Sequence, residues 1–178
     1  MKRNATFALL LIIAVFTLVS CVPSYKPLDK GFDSLKENNI EEAIDNFSYI
    51  IEGLFSGPEK KAGAYEGRGW AYYLKGMNDK AEADFLKAGD SIEAKTGLSL
   101  VYLSMEKLND SINTGIFILD EQNEIIVDYL PDPLTRQEFI KTLALSSLLI
   151  DSIHYSDIIN EINDANFIDR IEAMKDGE

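Results

Sequence analysis

Residues 62–95 carry two apolar stripes, each at helical spacing and each mixing small side chains with large ones. The first stripe is Tyr65, Gly69, Tyr72 and Gly76; the second is Ala81, Phe85 and Ala88. Intervals of three and four residues place each set on one face of a helix. Asn78 and Asp79 fall between the two halves, and Asp79 with Glu82 predicts a capping box for the second helix. Small side chains at Gly69 and Ala81 let two antiparallel helices approach closely. Large ones at Tyr72 and Phe85 then fill the space between one hairpin and the next. A chain built this way is all-α, and its hairpins stack on one another.

This unit resembles a tetratricopeptide repeat (TPR) over its whole length, and its neighbours share the pattern less fully. Going back 38 residues, Gly31, Leu35, Asn38, Ala43 and Phe47 fall at corresponding places, with Asn39 and Glu42 as the capping pair. The excess over the usual ~34-residue period is taken up by the loop Gly53-Leu54-Phe55-Ser56-Gly57, before Pro58 opens the next helix. Going forward 31 residues, Asn109-Asp110 repeats Asn78-Asp79. Ile112, Ile116 and Leu119 then take the slots of Ala81, Phe85 and Ala88, and Leu100 replaces Gly69. The resemblance implies a right-handed array of about three hairpins over residues 29–120. It also implies a concave face built from the first helix of each unit. The residues matching its ligand-contacting places are Glu66, Trp70 and Tyr73 in the clearest unit. They are Phe32 and Leu35 in the first, and Gly97, Val101 and Ser104 in the third. Trp and Tyr serve as interface anchors because they bury much area at low entropic cost. The competing reading has Trp70 and Tyr73 packing against C-terminal helices folded back into the groove.

Residues 121–178 continue as helices that cap the array, or as a fourth, decayed hairpin. Glu121–Leu130 prolongs the preceding helix until Pro131 and Pro133 stop it. Thr135–Ile150, with Phe139, Leu143, Leu145, Leu148 and Leu149, reads as a heavily buried helix. Ser156–Met174 reads as an amphipathic helix broken near Asn163.

The other informative stretch is the start of the chain. Lys2 and Arg3 precede an uncharged apolar run from Ala5 to Val19, and Leu18-Val19-Ser20-Cys21 ends it with small Ser20 before the only cysteine. The run is short for a membrane span and is followed at once by Pro23 and Pro27. This arrangement resembles the lipobox of bacterial lipoproteins. The resemblance implies that residues 1–20 are removed as a signal peptide. Cys21 then carries diacylglyceryl on sulfur and a further fatty acyl chain (palmitate is typical) on its new amino group. Val22, where an aspartate would signal inner-membrane retention, favours the outer membrane. Residues 21–28 form an extended tether of about 20 Å.

Maturation removes two cations and no acid, taking the formal charge from −13 to −15. Such a surface opposes nucleic acid and is repelled by anionic lipid, so the body stands off the bilayer on its tether. With Cys21 acylated no disulfide forms, and the roughly 155 remaining residues depend on packing in a single core or short array. No phosphate loop, zinc-ligand pair, nucleophile elbow or EF-hand is present, and no cofactor is called for. Asp120, Glu124 and Asp128 fall at four-residue intervals and read as a solvated acidic helix face rather than a divalent-cation site. His154, the only histidine, has Asp151 and Asp157 nearby and reads as a helix-connecting residue rather than a catalytic base. The leading expectation is therefore a non-catalytic, lipid-anchored scaffold that holds a protein partner at the periplasmic face of the outer membrane. A solute- or lipid-binding accessory lipoprotein of a transport system ranks second, with a cavity walled by Trp70, Tyr73 and Val101. A hydrolase using His154 is the remote third.

Overall fold

The computed structural model describes residues 28–122, 124–150 and 153–176; Cys21, the signal segment and nearly all of the tether lie outside these. The body is mostly helical. Six helices come first: α1 (Leu28–Lys36), α2 (Ile40–Glu52), α3 (Pro58–Leu74), α4 (Asn78–Ala88), α5 (Ile92–Ser104) and α6 (Leu108–Gly115). Each packs on the next in sequence, and α1, α3 and α5 also touch one another in order. A 3₁₀ turn (Ile116–Asp120) leads to a two-stranded antiparallel ribbon, β1 (Ile125–Val127) and β2 (Leu134–Thr135). Three helices follow: α7 (Arg136–Leu149), α8 (Tyr155–Asn160) and α9 (Ala165–Asp176).

The turns inside the three hairpins are the same turn made from different residues. Asn38, Gly76 and Glu106 each adopt a left-handed backbone, with φ of 60°, 70° and 60°. After each, one N–H reaches back across the helix end: Asn39 to the Ser34 carbonyl, Met77 to Tyr72 and Lys107 to Tyr102, at 2.7, 2.9 and 2.9 Å. This is the Schellman closure, which satisfies the last carbonyls of the first helix. It also sets the start of the second helix, where Asn39, Met77 and Lys107 occupy the N-cap position and none caps through its side chain. The capping boxes expected at Asp79/Glu82 and Asn39/Glu42 are therefore not formed; Asn39 instead donates to Glu37 at 3.1 Å.

The core is organised by two phenylalanines set against glycines. Phe47 on α2 lies between Gly31 on α1 and Gly67 on α3, where an added Cβ would stand 2.4 and 2.2 Å from its ring. Phe85 on α4 lies in the same way between Gly69 on α3 and Gly97 on α5, at 2.9 and 2.3 Å. Each ring thus seals its own hairpin and the next. Ala43 and Ala81 are fully buried at matching places.

The third hairpin follows the second by 30 residues, not 31, as the turns at Gly76 and Glu106 fix. Gly115, not Ile116, stands in the place of Phe85, and Ser99, not Leu100, in that of Gly69. Here small and large exchange roles: the space at Gly115 is taken by Phe139 and Leu143 of α7 together with the Ser99 hydroxyl. Ser99 donates to the Ser111 carbonyl at 2.7 Å, closing the hairpin by a hydrogen bond where its predecessors use a ring. α7 therefore covers the exposed side of the last hairpin. It begins with a complete capping box from Thr135 and Glu138. The break expected near Asn163 falls between α8 and α9. There Lys141 pairs with Asp164 at 2.7 Å and Arg136 with Glu161 at 2.8 Å.

Candidate interaction face

The stretch 121–130 does not prolong a helix. Ile125-Ile126-Val127 is β-branched throughout, and Pro131 and Pro133 follow, a composition that favours strand over helix. This segment crosses to the face formed by α1, α3 and α5. Ile126 and Leu130 are nearly buried, Val127 is completely so, and β1 packs against α5. Asp120, Glu124 and Asp128 consequently share no helix face. Among the described residues no group of acids, His or Cys is arranged to hold a metal ion.

Tyr129 fixes this strap. Its ring stacks at a tilt on Phe32 of α1, with centroids 4.5 Å apart, and its hydroxyl donates to Glu66 Oε1 of α3 at 2.8 Å. The other carboxylate oxygen, Oε2, accepts from the hydroxyl of Ser91, which also caps α5 by accepting from the Ala94 N–H at 3.1 Å. One partly buried carboxylate thus joins the strap, α3 and the start of α5. Burial raises the Glu66 carboxyl above its usual value, outweighing the two donated hydrogen bonds. Burial also drives the Tyr129 phenol far up, and the adjacent Glu66 charge adds to this, so the phenol remains a proton donor.

The residues expected in the groove divide into two groups. Phe32, Glu66 and Tyr73 lie on the face and are partly buried. Phe32 and Glu66 touch the strap, and Tyr73 meets Trp70 edge-on at 5.9 Å. Leu35, Trp70 and Val101 are core: their exposures are 0, 1 and 0%. Trp70 packs edge-on against Phe85 at 5.4 Å. Gly97 faces Phe85, and Ser104 is exposed at the end of α5, its hydroxyl turned to the Leu100 carbonyl at 2.9 Å. His154 is half-buried just before α8, without capping it through its side chain.

Sequence reasoning missed both Tyr129 and Arg68. Arg68 lies between the two glycines that seat Phe47 and Phe85. It grips Asp84 of α4 through two nitrogens at 2.6 and 3.0 Å and Ser48 of α2 at 3.0 Å, with Tyr65 and Tyr72 flanking its guanidinium. Burial opposes its charge, but the Asp84 carboxylate holds the guanidinium ionised more firmly than usual. Comparison with protein-family models, with curated proteins and with solved structures gives no match.

Proposed function

We propose that this protein is a non-catalytic, lipid-anchored scaffold of the bacterial cell envelope, a right-handed array of three TPR-like hairpins that holds an extended segment of a partner protein. Cys21 supplies the anchor, each buried methylene of its acyl chains contributing about 0.8 kcal/mol. The hairpins stand at the periplasmic face of the outer membrane. The observation that carries this reading is that the face of α1, α3 and α5 already holds a non-helical stretch of polypeptide, the chain's own residues 124–130 with the short strand Ile125–Val127. An aromatic ring seats on Phe32 and its hydroxyl meets Glu66, an arrangement suited to recognising a tyrosine-bearing strand. The recurrent turns at 38, 76 and 106 support the array. A partner segment either displaces the strap or extends it.

Affinity capture from detergent-solubilised envelopes, read by mass spectrometry, tests this with two variants. Tyr129→Ala loosens the strap and should raise the yield of a reproducible protein partner. Phe32→Asp spoils the seat and should lose that partner, while circular dichroism shows both variants to be folded. A capture profile that neither variant alters would overturn the proposal.

A further inference from the structure

The loop between α2 and α3, Gly53–Gly57, holds the two most exposed large apolar side chains of the described residues. Leu54 is 92% and Phe55 100% exposed. Neither contributes to folding, and the loop carries no charge of its own. Tyr49, one turn earlier on α2, is also exposed. An isolated apolar side chain on a surface needs no explanation, but two adjacent ones at a loop tip, fully extended into solvent, form a compact apolar point.

The position of this point relative to the chain's start gives it meaning. Leu28, the first described residue, packs against Gly63 of α3 and shares a shallow recess with Gly57, Pro58, Glu59 and Lys60. The described chain therefore begins beside the loop, at the end of the hairpins opposite the turns at 38, 76 and 106. Six residues separate Cys21 from Leu28, and the seven Cα–Cα steps cover at most about 25 Å when fully extended. An acyl anchor at Cys21 would hold the start of α1, and the loop beside it, within that reach of the bilayer. The charge is also local to the argument. Asp29, Lys30, Glu52, Glu59, Lys60 and Lys61, which flank the loop and open α1, cancel, whereas the whole chain carries −13. The rim around the apolar point is thus neutral on an otherwise acidic protein.

We infer that Leu54 and Phe55 insert into the interfacial region of the phospholipid bilayer beside the tether, turning a one-point anchor into a two-point one and fixing the orientation of the hairpins over the membrane. This rests on the lipid-anchor reading of Cys21. It changes the expectation that the acidic body stands clear of the lipid: the neutral end touches, and the acidic remainder is held away. Two contacts restrict rotation where one flexible tether does not, so the strap face is presented in a constant direction.

The test uses the full chain purified from bacterial membranes and reconstituted into phosphatidylcholine vesicles with ordinary or brominated acyl chains. Phe55→Trp adds an indole at the loop tip, and Glu37→Trp adds one at the exposed turn of the opposite end. Emission added by Phe55→Trp should shift to the blue on reconstitution and lose most of its intensity in brominated vesicles, while that added by Glu37→Trp should do neither. Leu54→Asp in the Phe55→Trp background should abolish the shift. Equal quenching at both ends, or none at the loop, overturns the inference. Intact mass of the same samples reports the acyl chains separately. Should they be absent, the anchor reading falls, and coupling Cys21 to a maleimide phospholipid supplies the tether so that the same quenching comparison still decides the loop.

Discussion

At Phe47 the ring has Gly31 on one side and Gly67 on the other, and it is completely buried. A methyl group on either glycine would overlap it, and moving the ring away from one drives it into the other. The usual escape of a side chain with a free end is closed here, so the backbone of α3 would have to shift. We expect Gly67→Ala to destabilise the protein by about 1–3 kcal/mol, the cost of overpacking a well-filled core, despite alanine's better helix propensity. Urea unfolding measures it. Adding Phe47→Leu should recover part of the loss; equal stability of Gly67→Ala and the native chain would show that the ring has room. The sequence makes Gly31, Gly69, Phe47 and Phe85 legible because they recur at a 38-residue interval. Gly67 and Gly97 are harder to read, since the partner they accommodate belongs to the preceding hairpin and no periodicity within one helix points to it.

Helices stay in register here through Arg68 and the shared turn geometry as much as through apolar packing. Arg68 joins α2, α3 and α4, and Asp84, its partner, is almost fully buried. Removing Asp84 leaves a guanidinium with little access to water, and losing one partner of such a pair is costly. Asp84→Leu should lower stability by about 3 kcal/mol, whereas the double variant Arg68→Met with Asp84→Leu should be clearly less destabilised than that single one, with Arg68→Met alone as the remaining corner. Denaturant titrations of the four proteins form the cycle; additive losses would mean the pair is not coupled. The limits of sequence reading are also plain at this scale. Helices α1 to α5 are legible from their stripes, and so is α7 as a helix, but not its buried face: Phe139 and Leu143 are inside, whereas Leu145 and Leu149 are exposed and Ser146 and Ser147 are buried in their stead. The capping boxes read from the sequence do not form, because the preceding left-handed turn already sets the start of each second helix. The 121–130 stretch is harder to read, because the helical spacing before it runs on into three β-branched residues that form a strand instead. Its final path depends on the face it covers, which lies far away in sequence.

For the molecule as a whole, the strap's junction at Glu66 links global stability to pH in a direction opposite to the common one. Glu138, which accepts from the Thr135 backbone and side chain, and Asp164, which pairs with Lys141, are held below their usual values. The stability they contribute is present at higher pH and is lost on acidification. Glu66 is shifted the other way, because its burial penalises the charged form. The folded chain binds that proton more tightly than the unfolded chain does, so on this account stability is greatest below the ordinary carboxyl value of 4.5. It declines as pH rises through the higher folded value and then levels off. Glu66→Gln keeps an acceptor for the Tyr129 hydroxyl and removes the titration. The unfolding free energy of this variant relative to the native chain should therefore rise with pH across that window and reach a plateau above it. Urea titrations at a series of pH values between about 2 and 8 measure the difference directly, with Glu138→Gln as a control whose difference changes in the opposite sense and below the ordinary carboxyl value. Parallel curves for Glu66→Gln and the native chain would mean that Glu66 is more hydrated than its contacts indicate. The carboxylate that orders the face would then be reached by water, and the strap would be looser than its Tyr129 anchor suggests.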